Sequence, residues 1–280
     1  MREMNQVSAL GDLENRWALT PAEHRAWLEE GYFVRPRVFT ETEIVEFRAA
    51  AERVVAIAGS ASAAHETASY SIDGNRYSEV LDATVQFEHQ QGSGTIRVVE
   101  PFHHLDAAFN TMIDDPRIVV PIRSLVGTER VALFTDKINL KRPHQGSAFR
   151  WHQDSPYWSH FCSHLDQLPN VMLAMDDASI ANGCFRVIRG SHRHGALPGQ
   201  EGRGRLGPLF TDPAYVDLDQ QVPLEMPLGS LAFFSPHTVH GSQPNDSGLP
   251  RRAIVLTYQP AGHRMFKIDA VRDCPARTAA

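Results

Sequence analysis

VALFTDKINLKRPHQGSAFRWHQD, residues 131–154, decides the fold class of this 280-residue chain. Residues 131–141 alternate: Thr135, Lys137 and Asn139 share one face, and Phe134, Ile138 and Leu140 share the other. That period of two predicts a long β-strand. After a turn-rich RPHQGSA, FRWHQD (149–154) opens the next strand. VMLAMDDA (171–178), CFRVIRGS (184–191), SLAFFSPHTVH (230–240) and RRAIVLTYQP (251–260) continue the series. Many short strands broken by Gly and Pro argue for a sandwich or barrel, and a jelly roll is the natural match. Residues 192–228, rich in Gly, Pro and charge, suit a long insertion over one mouth of it.

Upstream the pattern is mostly helical. Thr20-Pro-Ala-Glu23 and Thr40-Glu-Thr-Glu43 both have the form of a capping box. The spacing predicts helices to about Glu30 and Ala58, stopped by Gly31 and Gly59, with YFVRPRVF extended between them. Residues 59–78 are small and polar and fit a surface loop or lid. GTIRVVEPF (94–102) reads as a strand, and Asp115-Pro116 caps a helix ending at Gly127. The organisation expected is a polar segment over 1–19, one domain over 20–265 and a tail over 266–280.

A hydrophobic content of 42% supports a real core, and the net charge of −6 disfavours a nucleic-acid partner. The three cysteines (Cys162, Cys184, Cys274) have no CxxC spacing and suggest reduced thiols in a cytoplasmic protein. No apolar leader or membrane-spanning run is visible, so no membrane partner is expected. Oligomeric state stays open, with a homodimer as one option.

The chemistry-bearing residues gather at the strand ends. His152 and Asp154 stand two apart on an expected strand, so both side chains leave one face. With a histidine from a neighbouring strand they form a facial triad of the kind that holds non-haem iron(II) and leaves coordination positions open. His237 and His240 compete for the third place. Arg251 lies eleven residues after His240, far enough for a turn and a return strand, whereas the same step from His237 reaches Gly248. His240 is therefore the expected third ligand. Arg251 offers a planar fork for the distal carboxylate of 2-oxoglutarate, and Ser242 a hydroxyl for the same group. Arg252 should point the other way. Of the other histidine pairs, His160–His164 lacks an accompanying carboxylate, and His103–His104 and His192–Arg–His194 read as solvated or loop residues. Arg186, Arg203, Arg205 and Lys137 are candidates to meet an acidic substrate, with surface solvation the expected role for most.

Three stretches together carry a family pattern: KINLKRPHQGSAFRWHQDSPYW, DDASIANGCFRVIRGSH and FFSPHTVHGSQPNDSGLPRRAIVLTY. With LEEGYFVRPRVFTETEIVEFR near the start, the chain resembles the phytanoyl-CoA dioxygenase family of Fe(II)/2-oxoglutarate oxygenases over roughly residues 20–260. The resemblance implies an all-β core with flanking helices, a cupin-like double-stranded β-helix or jelly roll. It implies Fe(II) on His152, Asp154 and His240, 2-oxoglutarate as co-substrate on Arg251, and O2. It also places Arg97, Thr135, Met172 and Ser242 around the co-substrate. The reaction implied is hydroxylation of a small organic molecule with release of succinate and CO2. Relatives that desaturate, epoxidise or rearrange their substrates share the ligand set, and a non-catalytic jelly-roll metal- or ligand-binding protein is the reading from another class. A carboxylate at position 154 argues against halogenation, because related halogenases carry a small residue there. The family's usual PGSH turn reads Arg189-Gly-Ser-His192 here, a change expected to loosen the turn or bring a charge near the site.

Overall fold

The structure, a computed structural model, describes residues 16–275. The expected polar segment thus lies largely outside the described residues, as does the end of the expected tail.

Both capping boxes form. The hydroxyls of Thr20 and Thr40 accept the amides of Glu23 and Glu43, and the two glutamates reach back to the threonine amides. Each such cap contributes about 1 kcal/mol to its helix. They start α1 (Pro21–Glu29) and α2 (Glu41–Ala64). β1 (Tyr32–Arg35) lies between them. α2 does not stop at Gly59. The AIAGSASAA run keeps it helical, since alanines at 56, 58, 61, 63 and 64 outweigh the roughly 1 kcal/mol cost of one interior glycine.

The predicted loop over 59–78 is likewise replaced, by a hairpin of β2 (Ser69–Ile72) and β3 (Asn75–Val80). Asp73 and Gly74, at φ 50° and 78°, form its turn, the primed type that Asp-Gly favours. β4 (Ala83–Phe87) and β5 (Ile96–Glu100) extend it. Two helices follow, α3 (Ala108–Ile113) and α4 (Pro116–Val126). As expected, the Asp115 side chain caps α4 and Gly127 ends it at φ 79°.

The remaining strands are β6 (Val131–Lys141), β7 (Phe149–His152), β8 (Asn170–Ala174), β9 (Phe185–Ile188), β10 (Gln221–Leu224), β11 (Leu231–Phe234), β12 (His240–Ser242), β13 (Arg251–Pro260) and β14 (Arg272–Asp273). They make two antiparallel sheets. The large one runs β1-β11-β8-β13-β6-β5-β4-β3-β2, with β14 on the free part of β6; the small one runs β10-β9-β12-β7. Met172, Phe234 and Val255 of the large sheet pack against Phe185 and Val187 of the small one, which makes the sandwich interior. The opposite face of the large sheet, including Leu133, Ile138 and Leu256, packs under Phe47, Val54 and Ile118 of the helices. The core is all-β with flanking helices.

The run 230–240 is not one strand: β11 and β12 belong to different sheets. Between them Pro236 offers no N–H, and Thr238 closes a turn onto the Ser235 carbonyl at 3.0 Å. On β6, Phe134 does not join Ile138 and Leu140 under the helices. A register shift opposite Thr257–Tyr258 turns it into a separate cluster with Trp158 and Leu168.

The insertion over 192–228 contains short 3-10 turns and ends in β10 at the edge of the small sheet. Its backbone at Leu206 donates to Asp73 Oδ2 at the hairpin tip (2.7 Å), so the two segments meet. At its start, Arg189 turns outward. Its side chain bonds Gln220 Oε1, and its amide, which a proline would lack, donates to the Gln220 carbonyl. The turn is pinned rather than loosened, and the extra charge faces solvent.

Candidate metal centre and its anion pocket

β12 pairs with β7, and His240 stands directly opposite His152. A Cβ on Gly241 would lie 2.7 Å from the Phe149 carbonyl oxygen, so this close strand approach needs glycine. β7 carries one more residue than β12 between its two paired positions, a bulge, while the direct pairing puts the His152 and His240 side chains on one face. The ring centroids are 4.1 Å apart. Asp154 reaches the same spot from beyond the strand. It has helical backbone angles, φ −77° and ψ −33°, at the start of the short helix Ser155–Trp158, and its amide donates to the Pro236 carbonyl. The shared site therefore arises from a strand end followed by a turn, not from strand alternation alone.

Potential donor atoms of His152, Asp154 and His240 all lie within 4.8 Å of one another. His152 Nδ1–H donates to the Arg150 carbonyl (2.7 Å), and His240 Nδ1–H to the Thr238 carbonyl (2.9 Å). Both rings then present Nε2 to a common point. Burial pushes the His152 imidazole down to about 3, with His240 adding to the effect, and burial also lowers His240. Both stay neutral at physiological pH, the form that binds a metal. For Asp154, burial alone would raise the carboxyl; opposing charge, Lys137 first, outweighs it and holds it ionised. Asn170 Nδ2 donates to Asp154 Oδ2 (2.9 Å) and is itself held by the Thr257 hydroxyl (2.6 Å). His237 is elsewhere, its Nε2 paired with exposed Asp166 at 2.8 Å. His103 lies in a short 3-10 turn, His103–Leu105, as a loop residue would, but its ring is not solvated: it pairs with buried Asp136 at 2.8 Å.

Arg251 and Arg252 differ sharply. Arg252 points outward and forks onto Asp176 at 2.8–2.9 Å, with Glu52 at 3.1 Å. Arg251 is buried, donates Nη2 to the Gly183 carbonyl (3.0 Å), and has no carboxylate in hydrogen-bond contact among the described residues. Its Nε has no partner among the described residues, and neither have the buried Nε of Arg97 and hydroxyl of Ser242. Arg97 lies over the Phe149 ring at 4.1 Å and donates to the Ala148 carbonyl.

A further cation escaped the reading of the sequence. Lys141 is fully buried directly across from Arg251 and is held by the carbonyls of Ser147 and Gln243. The signal was available, because Lys141 continues the Thr135–Lys137–Asn139 face by one more step. Met172 lies in the sandwich interior opposite Val255. Thr135 is tied to Glu100 Oε1 at 3.1 Å. Among the acidic-substrate candidates, Arg203 and Arg205 are exposed and Arg186 bonds Gln221, but Lys137 turns inward to Asp154.

A model of the phytanoyl-CoA dioxygenase family matches residues 27–253. The chain belongs to the phytanoyl-CoA dioxygenase family. Within the reach of that family's fold, it is 27% identical to L-proline trans-4-hydroxylase of Streptomyces griseoviridis over 190 residues, 60% of this chain and 69% of that protein. It is 29% identical to the probable alpha-ketoglutarate-dependent hypophosphite dioxygenase of Stutzerimonas stutzeri over 185 residues, 64% and 63% of the two chains. The matches thus span about two thirds of these relatives. EctD from S. alaskensis, solved with 2-oxoglutarate and 5-hydroxyectoine, superposes with a TM-score of 0.67 at 20% identity, covering 89% of this chain and 78% of that one.

Family membership places the chain among the non-haem iron(II)- and 2-oxoglutarate-dependent dioxygenases. The residues fit both groups. Two neutral imidazoles and one ionised carboxylate suit iron(II) and leave positions for further ligands. The orphaned polar atoms of Arg97, Ser242 and Arg251, with Lys141 beside them, suit an anion. Unpaired buried cations cost several kcal/mol, and a carboxylate offsets that cost. Among the described residues, no helix is long and apolar enough to cross a membrane, and all three cysteines are free.

Proposed function

We propose that the protein hydroxylates a small organic substrate in a reaction that consumes 2-oxoglutarate and O2 and releases succinate and CO2. The observation that carries this reading is Arg251, a buried arginine without a carboxylate partner among the described residues, on a strand that neighbours the histidine–aspartate cluster. Relatives named for L-proline and hypophosphite support a small substrate. When bound, iron(II) supplies the activation of O2 that couples 2-oxoglutarate decarboxylation to oxidation of a substrate C–H bond.

The chain's own residues then have distinct tasks. His152, Asp154 and His240 hold the metal, with ring orientation set by the Arg150 and Thr238 carbonyls and the carboxylate set by Asn170. Arg251 and Ser242 take the distal carboxylate of the co-substrate, and Arg97 and Lys141 add positive charge to that pocket. Met172 and Thr135 complete the walls. The hairpin tip and the insertion, joined through Asp73, help to keep water out.

Anaerobic titration of 2-oxoglutarate into the iron(II) protein tests this reading. A visible charge-transfer band that saturates with added 2-oxoglutarate is the expected result. Bound iron with no such band would overturn it.

Lys141 adds a pH signature. Burial, with Arg251 and Arg97 beside it, pushes its ammonium down to about 6. A bound dianion favours the charged form, so binding takes up a proton wherever the free protein holds Lys141 neutral. Affinity for 2-oxoglutarate is therefore expected to be highest below about pH 6 and to fall as pH rises through that value. Calorimetry in buffers of different ionisation enthalpy should detect the uptake, and Lys141→Met should remove it.

A further inference from the structure

Lys137 stands on the inward face of β6 between two carboxylates, 3.6 Å from Asp154 Oδ1 and 3.7 Å from Glu100 Oε1. Neither distance is a hydrogen bond. Glu100 is already engaged, by Lys267 at 2.8 Å and by the Thr135 hydroxyl at 3.1 Å. Asp154 has Asn170 on one oxygen and, in the proposed holoenzyme, the metal. With Asp154 on the metal, Lys137 and Lys267 would share the remaining carboxylate, Glu100, and one positive charge beside the centre would be in excess. The Lys137 side chain keeps 23% of its surface accessible. The Trp158 ring, 5.6 Å away, supports it from another side.

This cation is separate from the co-substrate anchor. Lys141, not Lys137, is the residue opposite Arg251, and Lys137 lies four residues back along β6, about 13 Å at the rise of an extended strand. The two positive positions therefore address different ends of the site. We infer that Lys137 recognises the primary substrate, and that this substrate carries an anionic group such as a carboxylate or phosphonate. A charge-assisted hydrogen bond of about 2.8 Å to Lys137 puts that anion within about 6.5 Å of Asp154. The oxidised carbon then lies only a few bonds from the anion, on a small molecule. Tyr157, whose ring stands 5.8 Å from that of His152, is placed to bound its carbon frame.

The inference rests on the proposed function, and its test separates the two. A panel of small carboxylic, amino and phosphonic acids, each paired with its neutral ester, is assayed for succinate formation above the substrate-free rate. The same compounds are titrated by calorimetry into nickel(II) protein saturated with N-oxalylglycine, which reads binding without turnover. The expected result is that some acids bind and stimulate while their esters do so at least tenfold less well. Lys137→Met should raise the KM for those acids tenfold or more, and Lys137→Arg should restore much of it. Bound metal would itself hold Asp154 ionised, so at saturating iron(II) the dissociation constant of 2-oxoglutarate, read from the charge-transfer band, should be unchanged in both variants, which also shows that they fold and hold metal. Esters as effective as acids, no acid binding, an unchanged KM in Lys137→Met, or a shift in 2-oxoglutarate affinity instead would each overturn the inference. A wild-type protein that forms no charge-transfer band would sink the proposed function itself.

Discussion

Asp154→Ala is expected to lower 2-oxoglutarate turnover by about 100-fold or more, with the fold retained. Changes to groups that merely support a ligand cost about 10- to 100-fold in metal affinity or activity, so loss of the ligand itself should cost no less. The variant removes the only carboxylate among the three clustered donors and leaves Lys137 beside two imidazoles. Repulsion then works against any divalent cation. The fold should survive, because Asp154 lies at a turn whose backbone bond to Pro236 does not involve the side chain. Iron titration, succinate formation and far-UV circular dichroism measure the three quantities. Full turnover of the iron-loaded variant would show that Asp154 is not a metal ligand.

Arg251→Met should raise the 2-oxoglutarate requirement by roughly ten- to a hundred-fold, the equivalent of the 1.5–3 kcal/mol that a hydrogen bond to a charged group contributes. Lysine should not restore affinity, since a point charge lacks the planar fork. Arg252→Met is the matched control. Its side chain serves Asp176 and Glu52 on the helix side, so that variant should lose stability and leave the 2-oxoglutarate KM alone. Equal effects of the two substitutions on KM would remove the case for Arg251 as the anchor.

Local sequence was informative wherever a local rule decides the structure. Both threonine capping boxes, the Asp115–Gly127 limits of α4, and the full lengths of β6 and β13 follow from neighbouring residues. It misled where two local rules compete. Gly59 reads as a stop, yet the alanines around it carry the helix on. Asp73-Gly74 is a hairpin signal that the polar composition around it obscured.

The site divides in the same way. Sequence by itself determined the donor types, their spacing and the arginine eleven residues beyond His240, because these are properties of residue order. Tertiary structure alone decided that His240 faces His152 across paired strands while His237 turns to Asp166. It also decided that Arg251 is buried without a carboxylate while Arg252 has two, and that Lys141 and Lys137 sit inside rather than in solvent. Those outcomes depend on which strands pair, in what register and with what bulge, and the pairings that decide them, His152 with His240 and Lys141 with Arg251, join residues far apart in the chain that no local pattern relates.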